Sequence, residues 1–424
     1  MRGFCVVMRT MKLPQLPKLP LPQPPTEESF PSPLHHPRTA TVLGRWLGVA
    51  ITICFLTGLF SHFQQATPGW LAIPTRPASL YRVTQGLHVL SGIVSVPLLL
   101  AKLWTVYPKL FAKLPWPPSR KALGTVLERG SILVLVSALA LELFIGFLNT
   151  LQWYPWPFPF KETHYALAWI IIGALLVHLA VKLPLIIANW RRTPADRTPV
   201  PQFAELPNPQ PDAGTPVPRP ADSLPPAITG LSRRGLFRTV AGAASLVGIA
   251  SVGQSVPALG PIAVLSPRKP DIGPQGLPVN RTAEAAGVVA VDTTWRFTVA
   301  GPAQLSYSLD QLRALPQSRS ALPIACVEGW SQGARWEGIR IRDLLKLCEA
   351  PEGSHLRVVS MEKGGFYATS ELPPQFAEDP LTLLALRLNG TDLDLDHGFP
   401  ARIIAPNRPG IFQTKWVHRL EVLK

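Results

Sequence analysis

Ile324-Ala325-Cys326-Val327-Glu328-Gly329-Trp330-Ser331 is the stretch on which the reading of this chain turns. A single cysteine in a short, polar-flanked loop is a poor core residue, whereas a thiolate there is a good soft metal ligand. Trp336-Glu337-Gly338 follows, and then an apolar stripe of Ile339, Ile341, Leu344 and Leu345. The alternative is a buried structural cysteine, and these neighbours favour the ligand.

The rest of the chain sets the frame. At 424 residues it is long enough for two or three domains, and its apolar residues bunch in the first 190 positions. A net charge of +15 raises the question of nucleic acid. The lysines and arginines are scattered beside apolar runs, so the sequence argues against that partner and for a lipid bilayer. Four cysteines (Cys5, Cys54, Cys326 and Cys348) without a CxxC spacing give neither a zinc site nor a disulfide scaffold. A Cys326–Cys348 disulfide would remove the proposed ligand.

Residues 1–40 are basic and Pro-rich and read as a disordered cytoplasmic tail. Apolar runs at 44–63, 84–104, 126–148 and 166–188 each approach the roughly 20 residues that cross a membrane. They define an all-α four-helix membrane domain over 41–192. Positive charge flanks one side: Arg38 and Arg45, then Lys102 to Lys121, then Lys182, Arg191 and Arg192. The N-terminus is therefore expected in the cytoplasm. A Pro-rich linker occupies 193–231. Ser232-Arg233-Arg234-Gly235-Leu236-Phe237 then precedes a small-residue-rich run, marginal for a span, and 232–255 reads as a signal or anchor helix. It resembles a twin-arginine export signal, with Leu236 and Phe237 in swapped order; the alternative is two arginines anchoring a fifth helix. Either way the C-terminal part is expected outside the cytoplasm, on a multi-pass protein of the cell membrane.

His62, His88, His164 and His178 lie in or beside the spans, where ionisable groups are costly and point to function. Imidazole is a common axial ligand of haem iron, and helix bundles build cofactor sites from facing helices. His88 with His164 matches best in depth, with His62 as a substitute. His164 and His178, fourteen residues apart, face one way at about 21 Å separation, yet His178 has no obvious partner. Some of the four can instead be interfacial histidines bonded to backbone or water. Gln85-Gly86-Leu87-His88 and His164-Tyr165-Ala166-Leu167-Ala168-Trp169 together resemble a small cytochrome-b-type module, which implies haem b.

From residue 278 the pattern changes to short β-type runs at Val288–Val291, Trp295–Val299, Leu356–Ser360, Ala401–Ala405 and Trp416–Val422. Short helices are expected at Leu309–Leu315, with Ser308 as N-cap, and at Arg342–Cys348, giving an α+β, mostly β, domain over 278–424. Asp396-His397-Gly398-Phe399-Pro400-Ala401-Arg402 and Gly410-Ile411-Phe412-Gln413-Thr414-Lys415-Trp416 place an arginine and a lysine after glycine-containing turns. Guanidinium and ammonium beside loop N–H groups suit a phosphate-bearing ligand.

With the cysteine loop, these motifs resemble the molybdopterin domain of the sulfite oxidase family. The nearest branch is the bacterial one that includes methionine-sulfoxide reductase catalytic subunits. The resemblance covers about a third of the chain. It implies Cys326 as the protein ligand to molybdenum and Arg402 and Lys415 on the phosphate arm of molybdopterin. It also implies His397, Gln413 and Thr414 along that arm, and Asn280 on the pterin. Longer members carry a C-terminal dimerisation domain, so with Lys424 last, pairing through it is not expected.

Classical sulfite oxidases follow the cysteine with a basic run. Here Glu328 and Trp330 stand instead, which argues against a doubly anionic substrate if Glu328 faces the metal. Glu328 can equally face away as a structural acceptor, and Arg335, Lys363 and Arg408 remain as sources of positive charge. The expected activity is oxygen-atom transfer on a small substrate, sulfoxide reduction favoured, with electrons relayed through haem b from membrane quinone. Two alternatives stand: oxidation of sulfite or another small substrate with electrons flowing the other way, and a metal-free binding protein on the same fold.

Overall fold

The computed structural model describes residues 25–26, 29–30, 32–112, 120–190, 231–268, 271–288, 290–365 and 367–423. Most of the expected tail and nearly all of the linker lie outside these residues, as does Cys5. The tail is shorter than its sequence suggests, because a 3₁₀ turn at Pro33–His35 leads directly into the first helix.

Among the described residues five helices are long and apolar enough to cross a membrane: α1 (Pro37–Gln65), α2 (Leu80–Val106), α3 (Arg120–Thr150), α4 (Phe160–Ala188) and α5 (Arg233–Val252). Pro37 opens α1 at a position where a missing N–H costs nothing. Ser232 caps α5, its hydroxyl accepting from Gly235 N at 3.1 Å. The helices outrun their apolar stretches because polar residues continue the first and last turns; α4, for example, takes in Glu162 and His164. A helix of 29 residues such as α1 is about 43 Å long, more than the ~30 Å of hydrocarbon, so its ends reach past the apolar zone.

Helix α1 packs on α2, α3 on α4, and α5 on α2. Leu43, Leu47, Ile51, Leu98, Leu99, Leu139 and Ile171 form the inner core. Leu56, Leu100, Leu133 and Ile187 point outward and are exposed, the all-round apolarity of helices that face lipid. The small residues of α5 have a packing role. A Cβ at Gly248 would stand 3.3 Å from Leu90 on α2, so the stripe brings the two helices together.

The C-terminal part is a mixed-sheet domain with two five-stranded sheets. In the first, β1 (Phe297–Ala300) runs antiparallel to β2 (Leu305–Tyr307) and parallel to β10 (Val417–Leu423). Beyond β10 come β5 (His355–Ser360) and β6 (Thr369–Leu372). The second holds β3 (Ser318–Ala325), β4 (Ser331–Arg340), β7 (Leu383–Leu388) and β8 (Thr391–Asp392), with β9 (Arg402–Ile404) also on β7. Helix α6 (Leu309–Ala314) starts in a capping box of Ser308 and Gln311. Helix α7 (Ile341–Leu347) buries Ile341, Leu344 and Leu345 in the main core beside Ile339. The expected strand at Val288–Val291 is absent among the described residues. Val288 closes a turn instead, its N–H donating to Ala283 O at 2.8 Å, and its side chain is buried beside Trp416.

Trp336-Glu337-Gly338 acquires a physical reason. The β4–β7 register shifts between Glu337 and Gly338. A Cβ on Gly338 would run into the Leu384 carbonyl and stand 2.7 Å from Ala385 Cα. Gly338→Ala is therefore expected to destabilise the protein by ~1–3 kcal/mol, read as a lowered thermal midpoint.

The domain sits on the end of the bundle where α1 finishes and α2 begins. Asn407 reaches into that connection: its Nδ2 donates to Pro74 O at 2.6 Å, and its Oδ1 accepts from Tyr81 N at 2.8 Å. Ser79, the N-cap residue of α2, makes no side-chain cap, so Asn407 supplies the missing acceptor from outside the helix. Arg76 pairs with Asp379 at 2.8 Å beside it.

Candidate active site

Strands β3 and β4 pair from Ser318↔Gly338 to Ala325↔Ser331, so Cys326 to Trp330 form the tip of a hairpin. Two backbone bonds close the tip, Cys326 N to Trp330 O at 2.9 Å and Gly329 N to Cys326 O at 3.1 Å. Gly329 takes φ 97°, a conformation that favours glycine. The Cys326 thiol is buried and unpaired in any disulfide, as is that of Cys348. Burial, and next the charge of Glu328, push the Cys326 thiol well above its ordinary range. Binding a metal there must displace a proton.

A small cavity at Cys326 is lined by Asn280, Trp330, His397, Arg402, Gly410 and Lys415, among others. Five of the residues singled out in the sequence (Cys326, Asn280, His397, Arg402 and Lys415) thus converge from segments far apart in the chain. Arg402, on β9, is 3 % exposed. Its Nη1 donates to His397 O at 3.0 Å and its Nη2 to Gln413 O at 3.1 Å, while Nε has no partner. Its guanidinium lies 5.1 Å from the Trp336 ring centre. Lys415 Nζ donates to Arg281 O at 2.6 Å and Asp396 O at 2.9 Å. His397 Nε2 lies 2.8 Å from Pro274 O.

The glycines of both motifs are spacing devices. A Cβ on Gly398, whose φ is 106°, would stand 3.0 Å from Lys415 Cβ. One on Gly410 would stand 3.1 Å from Ala325 O, next to the cysteine.

Among the described residues neither Arg402, which is buried, nor Lys415, which is half-buried, has a carboxylate within ion-pair distance, and the charges of Asp396 and Glu362 act on Lys415 only from farther off. That is costly unless an anion joins them. An orphaned Arg402 Nε, a lysine that donates to two carbonyls over the Trp416 ring, and a cysteine at the hairpin tip fit a molybdopterin whose phosphate would meet the cations and whose metal would meet the thiolate. Burial brings Arg402 down to about 9. Burial, then Arg402, brings His397 down to about 4 and keeps it neutral.

Lys415 is lowered to about 7 by burial and then by Arg402. An unfolded lysine titrates near ~10.4, so the unfolded chain holds the extra proton between the two values and stability rises with pH across that window. Cofactor-free protein is expected to gain on the order of 1–2 kcal/mol from pH 7 to pH 9. Lys415→Met should flatten that gain in thermal unfolding at the two pH values.

Gln413 and Thr414 do not line the cavity. Gln413 Nε2 donates to Arg408 O at 3.0 Å, and the Thr414 hydroxyl meets that of Ser370 on β6 at 2.6 Å, so both side chains are engaged away from the cavity. Arg408 is buried too, its Nε donating to Phe412 O at 3.1 Å, and Arg335 is exposed. Glu328 takes the structural role: buried, it accepts from Trp330 Nε1 at 3.1 Å and from Gln152 Nε2, with Arg268 donating to Gln152 in turn. Its carboxyl is pushed up by burial. The place of Trp336 as the floor under Arg402, and Gln152 in the turn after α3, escaped the sequence reading. The tryptophan's place beside a glycine bulge was the available signal for the first.

A second, larger cavity of about 1310 Å³ lies among α1 to α4 and reaches the C-terminal domain at Val327, Tyr367 and Phe412. His62, His88 and His164 line it. The His88 and His164 ring centres are 6.0 Å apart, with the planes at 85°. His88 Nδ1 is 2.8 Å from Cys54 O, and His164 Nδ1 is 3.2 Å from a Glu142 carboxylate oxygen. Gly58 and Gly146 face these rings: a Cβ would stand 2.7 Å from His88 Cε1 and 3.3 Å from His164 Cε1. His62 stacks on Tyr165 with centres 3.8 Å apart. His178 is not among the lining residues, and its Nδ1 has no partner.

Residues 285–424 match the family described as the oxidoreductase molybdopterin binding domain. Mitochondrial sulfite oxidase of Mus musculus is 30% identical over 158 residues, covering 30% of this chain and 29% of that protein. A protein of Azospira oryzae provisionally named protein-methionine-sulfoxide reductase subunit YedZ1 is 32% identical over 117 residues, covering 28% of this chain and 44% of that one. The uncharacterized oxidoreductase YuiH of Bacillus subtilis is 30% identical over 137 residues, 31% of this chain and 67% of that one. The chain thus spans less than half the length of the first two. Through its C-terminal part, where Cys326, Arg402 and Lys415 line one cavity, this chain belongs to the molybdopterin-binding oxidoreductases.

Proposed function

We propose that this chain is a membrane-anchored molybdenum-cofactor enzyme that transfers an oxygen atom on a small substrate outside the cytoplasm. Sulfoxide reduction is the favoured direction, with electrons drawn from membrane quinone through haem b. The observation that carries this reading is that one cavity joins the His88–His164 pair to Val327, the neighbour of Cys326. When bound, the molybdenum cofactor supplies two-electron oxygen-atom transfer and haem supplies one-electron steps.

The chain's own residues orient and insulate these groups. Cys54 O fixes the His88 ring and leaves its Nε2 for a metal, and a Glu142 carboxylate oxygen lies 3.2 Å from His164 Nδ1 without a hydrogen bond between them. With ring centres 6.0 Å apart, His88 and His164 are the pair that would hold a haem iron. Gly58 and Gly146 keep the adjacent helix surfaces free of side chains. Arg402 and Lys415 supply the phosphate's countercharge, and Trp330 closes the dry side of Cys326. The domain sits at the helix ends opposite Lys102, Lys109 and Lys182, which supports an extracytoplasmic site. Helix α5, packed along α2, supports a retained signal anchor added to a four-helix cytochrome-b-like module.

Sulfite-type oxidation is the second reading. The Glu328 carboxylate is held by Gln152 and Trp330 and its carboxyl is pushed up by burial, which weakens its opposition to an anion at the metal. The direction is decided by adding substrate to purified protein and watching the haem spectrum. Dimethyl sulfoxide should oxidise pre-reduced haem, whereas reduction of oxidised haem by sulfite would establish the second reading in its place.

A further inference from the structure

The Cys326 hairpin and α2 meet more closely than anchoring alone requires. Gln85, 4 % exposed, donates from Nε2 to Val327 O at 2.7 Å. Val327 follows Cys326 in the chain. Gln85 and His88 are three residues apart on α2, hence on one helix face and about 4.5 Å apart along its axis. The next residue, Val89, presses on the hairpin: a Cβ on Gly329 would stand 3.1 Å from Val89 Cβ, so only glycine admits the approach. The end of α5 closes the other side. Ser331 N donates to Gln254 O at 3.0 Å, and the Ser255 hydroxyl donates to Gly329 O at 2.8 Å.

We infer that the Gln85–Val327 hydrogen bond is the electron joint between the two halves of the protein, and that Gln85 is a positioning residue for intrachain electron transfer. The inference rests on the haem and molybdenum reading above. The path runs from His88 along α2 to Gln85, across one hydrogen bond to Val327, and through one peptide to Cys326. Bonded and hydrogen-bonded atoms conduct tunnelling electrons better than an open gap does. Each passage oxidises ferrous haem to ferric and reduces the molybdenum site by the same electron. Two passages with two protons convert one sulfoxide to sulfide and water, and a membrane quinol supplies both electrons and becomes quinone. A separate soluble electron carrier is not needed.

The test uses the full chain in detergent, as wild type and as Gln85→Met, which keeps the length and removes the donor. A laser flash with a deazaflavin donor photoreduces haem, and the relaxation of its absorbance reports the onward electron without any substrate. The expected result is a slower relaxation in Gln85→Met, because a through-space gap replaces the hydrogen-bonded step. Iron content, molybdenum content and the molybdenum(V) resonance should match wild type, and amide exchange at 326–331 should rise. Unchanged relaxation with both metals present overturns the inference alone, and so does loss of molybdenum from the variant, which would make Gln85 part of the cofactor site. Wild type lacking iron or molybdenum overturns the underlying reading, and the inference with it.

Discussion

Cys326→Ala is expected to leave the protein folded but without molybdenum, and to lower oxygen-atom transfer by more than about a hundredfold. Loss of an outer partner of a metal ligand already costs 10–100-fold, and here the ligand itself is removed. The fold survives because backbone bonds hold the hairpin tip, Cys326 N to Trp330 O among them, and none needs the thiol. The small side chain leaves a deficit of about 1 kcal/mol or less. Elemental analysis and sulfoxide turnover, with thermal unfolding as the control, check the expectation. Retention of molybdenum would return Cys326 to the role of a structural cysteine.

His88→Ala is expected to remove haem and, with it, nearly all quinol-driven turnover, while molybdenum content stays at the wild-type level. The two effects separate because His88 lies in the helical bundle and Cys326 at the tip of a hairpin outside it. His164→Ala should behave alike, since the two rings face each other at 6.0 Å. His62→Ala should keep its iron: that ring is stacked on Tyr165. His178→Ala should keep it too, because His178 stands apart from the cavity. Absorbance of the reduced protein and iron per chain measure all four. Haem loss in His62→Ala with retention in His164→Ala would reassign the pair.

What the sequence disclosed followed from periodicity and charge. Apolar runs located all five long helices because lipid demands an unbroken apolar stretch, and only the ends were underestimated, where polar residues such as Glu162 extend a helix without changing its period. Ser308 marked α6 through a local cap. Arg402 and Lys415 stood out because each follows a glycine-containing turn, whereas His397 and Asn280 came only from the family resemblance. Gln413 and Thr414, in the same motif, do not line the cavity because their side chains bond to Arg408 O and to the Ser370 hydroxyl.

Other features are not local. Val288 looks like the start of a strand until Ala283 captures its N–H. Glu328 had two plausible directions, and the choice was made by Gln152, 176 positions earlier in the chain. The hairpin of β3 and β4 was hidden by its polar edge, and the trans-capping of α2 by Asn407 depends on contacts between residues more than three hundred positions apart.

The central claim is that one chain carries both redox centres. Molybdenum and iron per chain, by elemental mass spectrometry on full-length protein purified in detergent from its native membrane, test it most directly. The account predicts about one molybdenum and about one iron for each chain. Molybdenum without iron would reduce the histidine-bearing helices to an anchor, and absence of both metals from a host that makes the cofactor would contradict the account outright.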